Sequence, residues 1–268
     1  AMMPASKLKA VTALYALAKL GRSRTFTTRV IRAGDTLVLA GGGDPVLSTD
    51  DLARLAGDLA ATGQPVPARF AVWGGALPQV HEIAPPQADH LAYNPALSGM
   101  ILNFNRVHLG WRQGGAQMSL EARAASHSPR AYTITAAAGD VFSWQEDGDR
   151  EIWTLSRSAV ARPGSRWLPV RRPELYAGDV FQTLCRAKGL VLPAPEVIAD
   201  LPQGEVLVSH SSPPLEEILR GMLHFSTNLT AEVVGLHASG AADPAGSARA
   251  MAAWLTEQGQ GQDFTLAD

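Results

Sequence analysis

Apolar residues recur at helical spacing through Val11, Leu14, Tyr15, Leu17, Ala18 and Leu20, a run opened by Pro4 and closed by Gly21, and this pattern predicts a first helix. The period then shortens to two. Thr25-Phe26-Thr27-Thr28-Arg29-Val30-Ile31-Arg32 and Thr36-Leu37-Val38-Leu39-Ala40, with Gly34-Asp35 between them, predict a β-hairpin. Leu52, Leu55, Leu59 and Ala60 restore a helical period, with Thr49 as the expected cap. Short β runs are expected at residues 69–73, 117–122, 131–135 and 151–156, and in the alternating second half of residues 100–109, while residues 74–89 form a long loop rich in Gly and Pro. From Pro173 the period lengthens again through Leu175, Val180, Leu184 and Ala187 until Gly189. A strand at Val206-Leu207-Val208-Ser209 follows, and Ser212, with two prolines and then Glu216 and Glu217, is read as the N-cap of a helix running to His224. A corner at Phe225-Ser226-Thr227-Asn228-Leu229 leads to a last helical stretch beginning at Ala231.

Composition narrows the function. The 268 residues, 46% hydrophobic and 18% charged, suffice for one large domain or two modest ones. A net charge of -2 and a pI near 6.4 leave no basic footprint for nucleic acid or an anionic membrane surface. No transmembrane segment is expected, because the longest apolar helix falls short of a bilayer span, and no basic stretch followed by an apolar one marks a signal peptide. The single Cys185 excludes an internal disulfide and reads as a buried structural thiol.

Several chemistries lack their residues. The seven histidines are scattered without His-x-x-x-His spacing, and there is no Cys-x-x-Cys, so no metal and no cofactor is expected. His210 and His224 lie nearest the second corner and read as packing or surface residues. Gly41-Gly42-Gly43-Asp44-Pro45 precedes a helix, yet no Gly-Lys-Ser/Thr follows, and Asp50 and Asp51 would repel a phosphate; a structural turn is expected. Asn103 and Asn105 are read as bracing a bend. No Gly-x-Ser-x-Gly elbow is present.

What remains is a serine and a lysine one helical turn apart. Ser6 and Lys9 share a face of the first turn, close enough for the amine to take the hydroxyl proton. A serine hydroxyl needs such a base. The base must be neutral, and bringing an amine from about 10.4 to about 7 disfavours its charged form by roughly 4 to 5 kcal/mol, which burial or a neighbouring cation must supply. Serine is also an ordinary helix cap and lysine an ordinary surface residue, so the pair needs company. Ser226-x-Asn228 supplies it. Ser-x-x-Lys followed by Ser-x-Asn and Lys-Thr-Gly is the set shared by penicillin-binding proteins and β-lactamases, and two of the three are present in order.

With these motifs the chain resembles the class C low-molecular-mass penicillin-binding proteins, serine-type D-alanyl-D-alanine carboxypeptidases/endopeptidases of peptidoglycan. The resemblance runs through Pro4-Ala5-Ser6 to Lys9, Phe26-Thr27-Thr28, Gly41-Gly42-Gly43-Asp44-Pro45, Tyr93-Asn94-Pro95, Leu102-Asn103-Phe104-Asn105, Ser211-Ser212-Pro213-Pro214-Leu215, Ser226-x-Asn228-Leu229 and Leu266-Ala267-Asp268. Ser6 and Ser226 lie 220 positions apart, farther than in compact β-lactamases, and the family fills that interval with inserted domains. The implied fold is α/β: a transpeptidase/β-lactamase-like core, helices packed on an antiparallel sheet, split by a β-rich insertion. The expected division is residues 1–26 and 170–268 for the core and 27–169 for the insertion.

The resemblance also implies roles. Ser6 forms the acyl-enzyme, Lys9 is its base, Ser226 passes a proton to the leaving D-alanine nitrogen, and Asn228 holds both Lys9 and the substrate's peptide amide. The implied partners are peptidoglycan peptides ending in D-Ala-D-Ala, with β-lactam antibiotics as inhibitors, in a periplasmic or extracytoplasmic setting. The chain departs from the family at one point: its lysines are Lys7, Lys9, Lys19 and Lys188, and none begins a Lys-Thr-Gly. The expectation is therefore a chain truncated at both ends and impaired by the missing motif. A catalytically inactive cell-wall peptide-binding homologue and an esterase or β-lactamase on the same core stay open as alternatives.

Overall fold

The computed structural model of the chain describes residues 5–85 and 87–259; Pro4 and the Leu266-Ala267-Asp268 stretch lie outside the described residues. Among the described residues the architecture is mixed α/β, with a layer of four helices, two further helices packed on a sheet, and three open sheets.

Helix α1 (Leu8–Leu20) continues from a 3₁₀ turn at Ala5–Lys7. It buries Thr12, Ala13, Tyr15 and Ala16 along one stripe and stops where Gly21 adopts φ 77 and returns its N–H to Leu17. That stripe meets three helices from the other end of the chain: α4 (Leu215–Phe225), α5 (Asn228–Ser239) and α6 (Pro244–Glu257). Ala13 and Ala16 pack with Phe26, Leu219, Met222 and Val234, and Tyr15 meets the edge of Trp254 with ring centroids 5.5 Å apart. Small residues on α1 let α5 approach closely.

The largest sheet has five strands, in the order β10 (Pro195–Val197), β3 (Arg69–Trp73), β2 (Thr36–Ala40), β1 (Thr27–Ala33) and β11 (Glu205–Ser211). Strands β1 (Thr27–Ala33) and β2 (Thr36–Ala40) form the expected hairpin. Helix α2 (Thr49–Ala61) crosses over to β3 (Arg69–Trp73), which runs parallel to β2. Later, α3 (Pro173–Ala187) leads to β10 (Pro195–Val197), parallel to β3, and β11 (Glu205–Ser211) returns antiparallel to β1. Both α2 and α3 cover one face of this sheet, where Leu52, Leu55, Phe70, Phe181 and Cys185 form part of a continuous core. Burial pushes the Cys185 thiol up to about 12, which makes it an inert packing group.

Two smaller sheets extend that core. One sets β4 (Arg106–Trp111) between β5 (Ser119–Glu121) and β9 (Gly164–Pro169); the other sets β8 (Arg150–Ser156) between β6 (Ile134–Gly139) and β7 (Ser143–Asp147). The turn after β9 is held by the buried Glu151 carboxylate, which accepts N–H groups from Arg171 and Arg172 at 3.0 and 2.8 Å and the Trp144 indole at 3.1 Å.

Two expectations need correction. The cap of α2 is Ser48, not Thr49: Ser48 and Asp51 exchange backbone and side-chain hydrogen bonds as a capping box. Ser212 caps no helix, because α4 begins only at Leu215; its Oγ instead accepts the Phe26 N–H at 2.9 Å while its own N–H donates to the Phe26 carbonyl. Strand β1 pairs with β11 and β3 with β10, so strands from early and late in the chain share one sheet.

These ties also position the helices. Leu215 N–H donates to Arg24 and Glu216 N–H to Arg22, so the link after α1 and the link before α4 run side by side. The start of α1 and the corner between α4 and α5 consequently face each other.

Candidate active site

At that corner the chain reverses within two residues. Phe225 ends α4, Ser226 adopts φ 55 and ψ 43, and Asn228 starts α5. The left-handed region disfavours a residue with a Cβ by about 1 kcal/mol or more, and helices usually place glycine there. Here the position carries a hydroxyl instead. Ser226 Oγ donates to Ser6 Oγ at 2.8 Å, and both serines are solvent-exposed. Beside this pair, Lys9 Nζ donates to Asn228 Oδ1 at 2.8 Å, with both side chains half-buried. All four residues singled out from the sequence thus meet in two pairs.

A small cavity of about 130 Å³ opens beside them, lined by Tyr93, Phe104, Arg106, Phe225, Ser226 and Asn228 among others. Its far wall comes from the Asn103-Phe104-Asn105 bend, in which three successive residues have φ of 50, 58 and 49°. The asparagine side chains hold that bend. Asn103 accepts from the Thr49 N–H at 3.0 Å and donates to Thr49 Oγ1 at 2.8 Å, while Asn105 accepts from Leu102 N–H at 3.0 Å and donates to the Ala96 carbonyl at 2.9 Å. Both amides are thereby occupied, and what the bend turns toward the cleft is the Phe104 ring with the Arg106 guanidinium 5.0 Å from its centroid. Arg106 is a lining residue that sequence reasoning missed, because nothing in its local pattern sets it apart from any other strand arginine.

The glycine run serves the frame. A Cβ on Gly41 would fall 2.4 Å from the Gly99 carbonyl oxygen, and one on Gly42 only 2.1 Å from that of Thr27, so backbone fills the space a side chain needs. Gly43 hydrogen-bonds through its carbonyl with His237 Nε2 on α5 at 3.0 Å, tying the helical layer to the end of β2. The next residue, Asp44, is buried; its Oδ1 accepts the Val46 N–H at 2.9 Å, and its Oδ2 lies 3.7 Å from His210 Nε2, which sits equally far from Asp51 Oδ1. Desolvation, with the Asp51 charge adding to it, pushes the Asp44 carboxyl up to about 7, while burial holds His210 below its ordinary value. His224 is exposed against Phe225. Among the described residues no cluster of three His, Cys, Asp or Glu could hold a metal ion, and no helix is long and apolar enough to cross a membrane.

Serine meets serine and lysine meets asparagine where the start of the chain faces the α4–α5 corner. The family model for D-Ala-D-Ala carboxypeptidase 3 (S13) matches residues 1–265. The chain belongs to this family. It is 28% identical over 276 residues to the D-alanyl-D-alanine carboxypeptidase of Actinomadura sp. (strain R39), a match covering 87% of this chain and 49% of that protein. The chain thus spans about half the length of that curated relative. Its fold is similar to that of penicillin-binding protein 4 (dacB) from Haemophilus influenzae, with a TM-score of 0.72 at 19% identity over 96% of this chain and 63% of that one. The same protein complexed with a novel β-lactam superposes with a TM-score of 0.66, again at 19% identity, covering 96% of this chain and 61% of that one.

Proposed function

We propose that the protein carrying this chain is a serine-type D-Ala-D-Ala peptidase of peptidoglycan stem peptides, of the class C low-molecular-mass kind, with carboxypeptidase and endopeptidase action and a periplasmic or extracytoplasmic location. The observation that carries this reading is the 2.8 Å contact between Ser226 Oγ and Ser6 Oγ beside the 2.8 Å contact between Lys9 and Asn228. Membership of the S13 family supports it independently.

In this reading Lys9, in its neutral form, takes the proton of Ser6 Oγ as that oxygen attacks the carbonyl carbon of the penultimate D-alanine. The Ser6 N–H, at the start of a helix, supplies one donor to the oxyanion. Collapse of the tetrahedral intermediate breaks the C–N bond, and Ser226 Oγ relays a proton to the departing D-alanine nitrogen. Water then hydrolyses the Ser6 ester, releasing the shortened peptide. Asn228 keeps the amine in register and offers its amide to the substrate backbone. In this reading residues 1–26 and 170–268 form the core that carries this chemistry, and residues 27–169 form the insertion that walls the cleft.

A β-lactam fits the same scheme, with the lactam C–N bond in place of the peptide bond. The test is intact mass of the full-length protein after incubation with penicillin, with peptide mapping and Ser6→Ala as control. A stable adduct on Ser6 supports the reading. Rapid release of opened penicillin points to a β-lactamase, and no adduct on Ser6 points to a homologue that only binds cell-wall peptide.

A further inference from the structure

Most charged side chains around the cleft are already neutralised. Arg123, on the rim of an adjoining cavity of about 450 Å³, pairs with Glu121 at 2.8 Å, and Asp50 in the same wall accepts the N–H groups of Ser126 and His127. Deeper in, Arg171 donates to the carbonyls of His81, Asn94 and Asp89 and lies 3.6 Å from Glu82. Arg106 differs from these. It lines both the 130 Å³ cavity that holds Ser226 and Asn228 and the 450 Å³ cavity beyond it. Among the described residues its guanidinium has no ion pair and no hydrogen bond, only the Phe104 ring 5.0 Å away.

A half-buried cation without a counter-charge is an unfavourable arrangement, because desolvation is not offset by Coulomb attraction. Burial alone holds the Arg106 pKa below its ordinary value, with no carboxylate acting to raise it. A guanidinium offers five N–H donors in a planar fork matched to a carboxylate. The Phe104 ring keeps that fork from turning away, and the fork borders the groups proposed to do the chemistry.

We infer that Arg106 binds a carboxylate of the peptide substrate across the cavity it shares with Ser226 and Asn228. This inference rests on the peptidase reading, since it assumes that a peptide occupies the cleft. The carboxylate has two sources, an acidic side chain upstream of the scissile bond or the peptide's own C-terminus, and each can be amidated separately.

The experiment is equilibrium binding by fluorescence anisotropy, using the full-length protein with Ser6→Ala so that the probe stays intact. The probes are three versions of a labelled acidic peptide ending in D-Ala-D-Ala: unmodified, amidated at the side chain, and amidated at the C-terminus. One amidation should weaken binding about tenfold, the scale of a charge-assisted hydrogen-bonded pair, and it identifies the source. That difference should vanish in Arg106→Ala, partly survive in Arg106→Lys, and reverse in Arg106→Glu when an amine replaces the carboxylate. A wild-type preference that persists in Arg106→Ala overturns the assignment, as does equal binding of all three probes. If none of the probes binds, the inference falls together with the peptidase reading; equal binding sinks the inference alone.

Discussion

Lys9 Nζ and Asn228 Oδ1 lie 2.8 Å apart although 219 positions of chain separate them. The carbonyl accepts from the amine whichever protonation form the amine takes, so the contact fixes position more than charge. Asn228→Ala removes that partner. The second-order rate constant for acylation by a chromogenic cephalosporin should fall about 10-fold, the scale of a hydrogen bond between neutral groups, while the folded state changes by only about 1 kcal/mol. An unchanged rate in a well-folded variant would remove Asn228 from the machinery.

Ser226 combines a strained backbone with a hydroxyl aimed at Ser6, and two substitutions separate these. Ser226→Ala deletes Oγ but keeps a Cβ at φ 55; Ser226→Gly deletes both. Both variants should slow acylation by a similar factor, about 10²-fold for loss of the proposed proton relay. The glycine variant should be more stable than the alanine variant by about 1 kcal/mol, or a few degrees in Tm. Equal melting of the two would show that the left-handed corner stores no strain.

Local signals in the sequence account for much of this structure. Helical periodicity ended by Gly21 and Gly189 marked α1 and α3, and the Gly34-Asp35 turn marked the β1–β2 hairpin. Non-local pairing left no such trace: β11 reads as a strand, but nothing in its residues says that it lies on β1. Neighbouring cap formers were also indistinguishable, because Ser48 and Thr49 are both good N-caps and only the reciprocal bond with Asp51 decides. In the site, Ser6, Lys9, Ser226 and Asn228 were legible as motifs, whereas their pairing distances depend on how α1 packs on α5. Arg106 was illegible, since an arginine becomes distinctive only when the surrounding fold supplies no counter-charge.

The glycine run offers a test of packing. Gly42 has no unusual backbone angle, yet a Cβ there would sit 2.1 Å from the Thr27 carbonyl oxygen. Gly34 is the converse, with φ 59 and open space around the missing Cβ. Gly34→Ala should cost about 1 kcal/mol in urea unfolding from backbone strain alone. Gly42→Ala must push β1 aside and should cost about 3 kcal/mol. A smaller effect at Gly42 than at Gly34 would contradict the close approach of these two strand ends.

Burial of Asp44 predicts how stability depends on pH. Its carboxyl is 2% exposed and pushed up to about 7, against about 3.9 in an unfolded chain. The folded state therefore binds this proton more tightly than the unfolded state. The resulting stabilisation is fully present below about pH 4 and is lost as pH rises toward about 7. Asp44→Asn keeps an acceptor for the Val46 N–H but does not titrate. The variant should therefore gain on the wild type steadily between pH 4 and 7, by at most about 4 kcal/mol, and then run parallel above that range. The groups facing Asp44 are His210, which Asp51 also approaches, and Asp51 itself, paired with Arg54. A protonated His210 would pull the Asp44 pKa down and flatten the difference, but burial disfavours that charge. Urea unfolding of both proteins across this range decides the matter: curves that stay parallel from pH 4 to 7 would mean that Asp44 is ionised in the fold and paired with a charged His210.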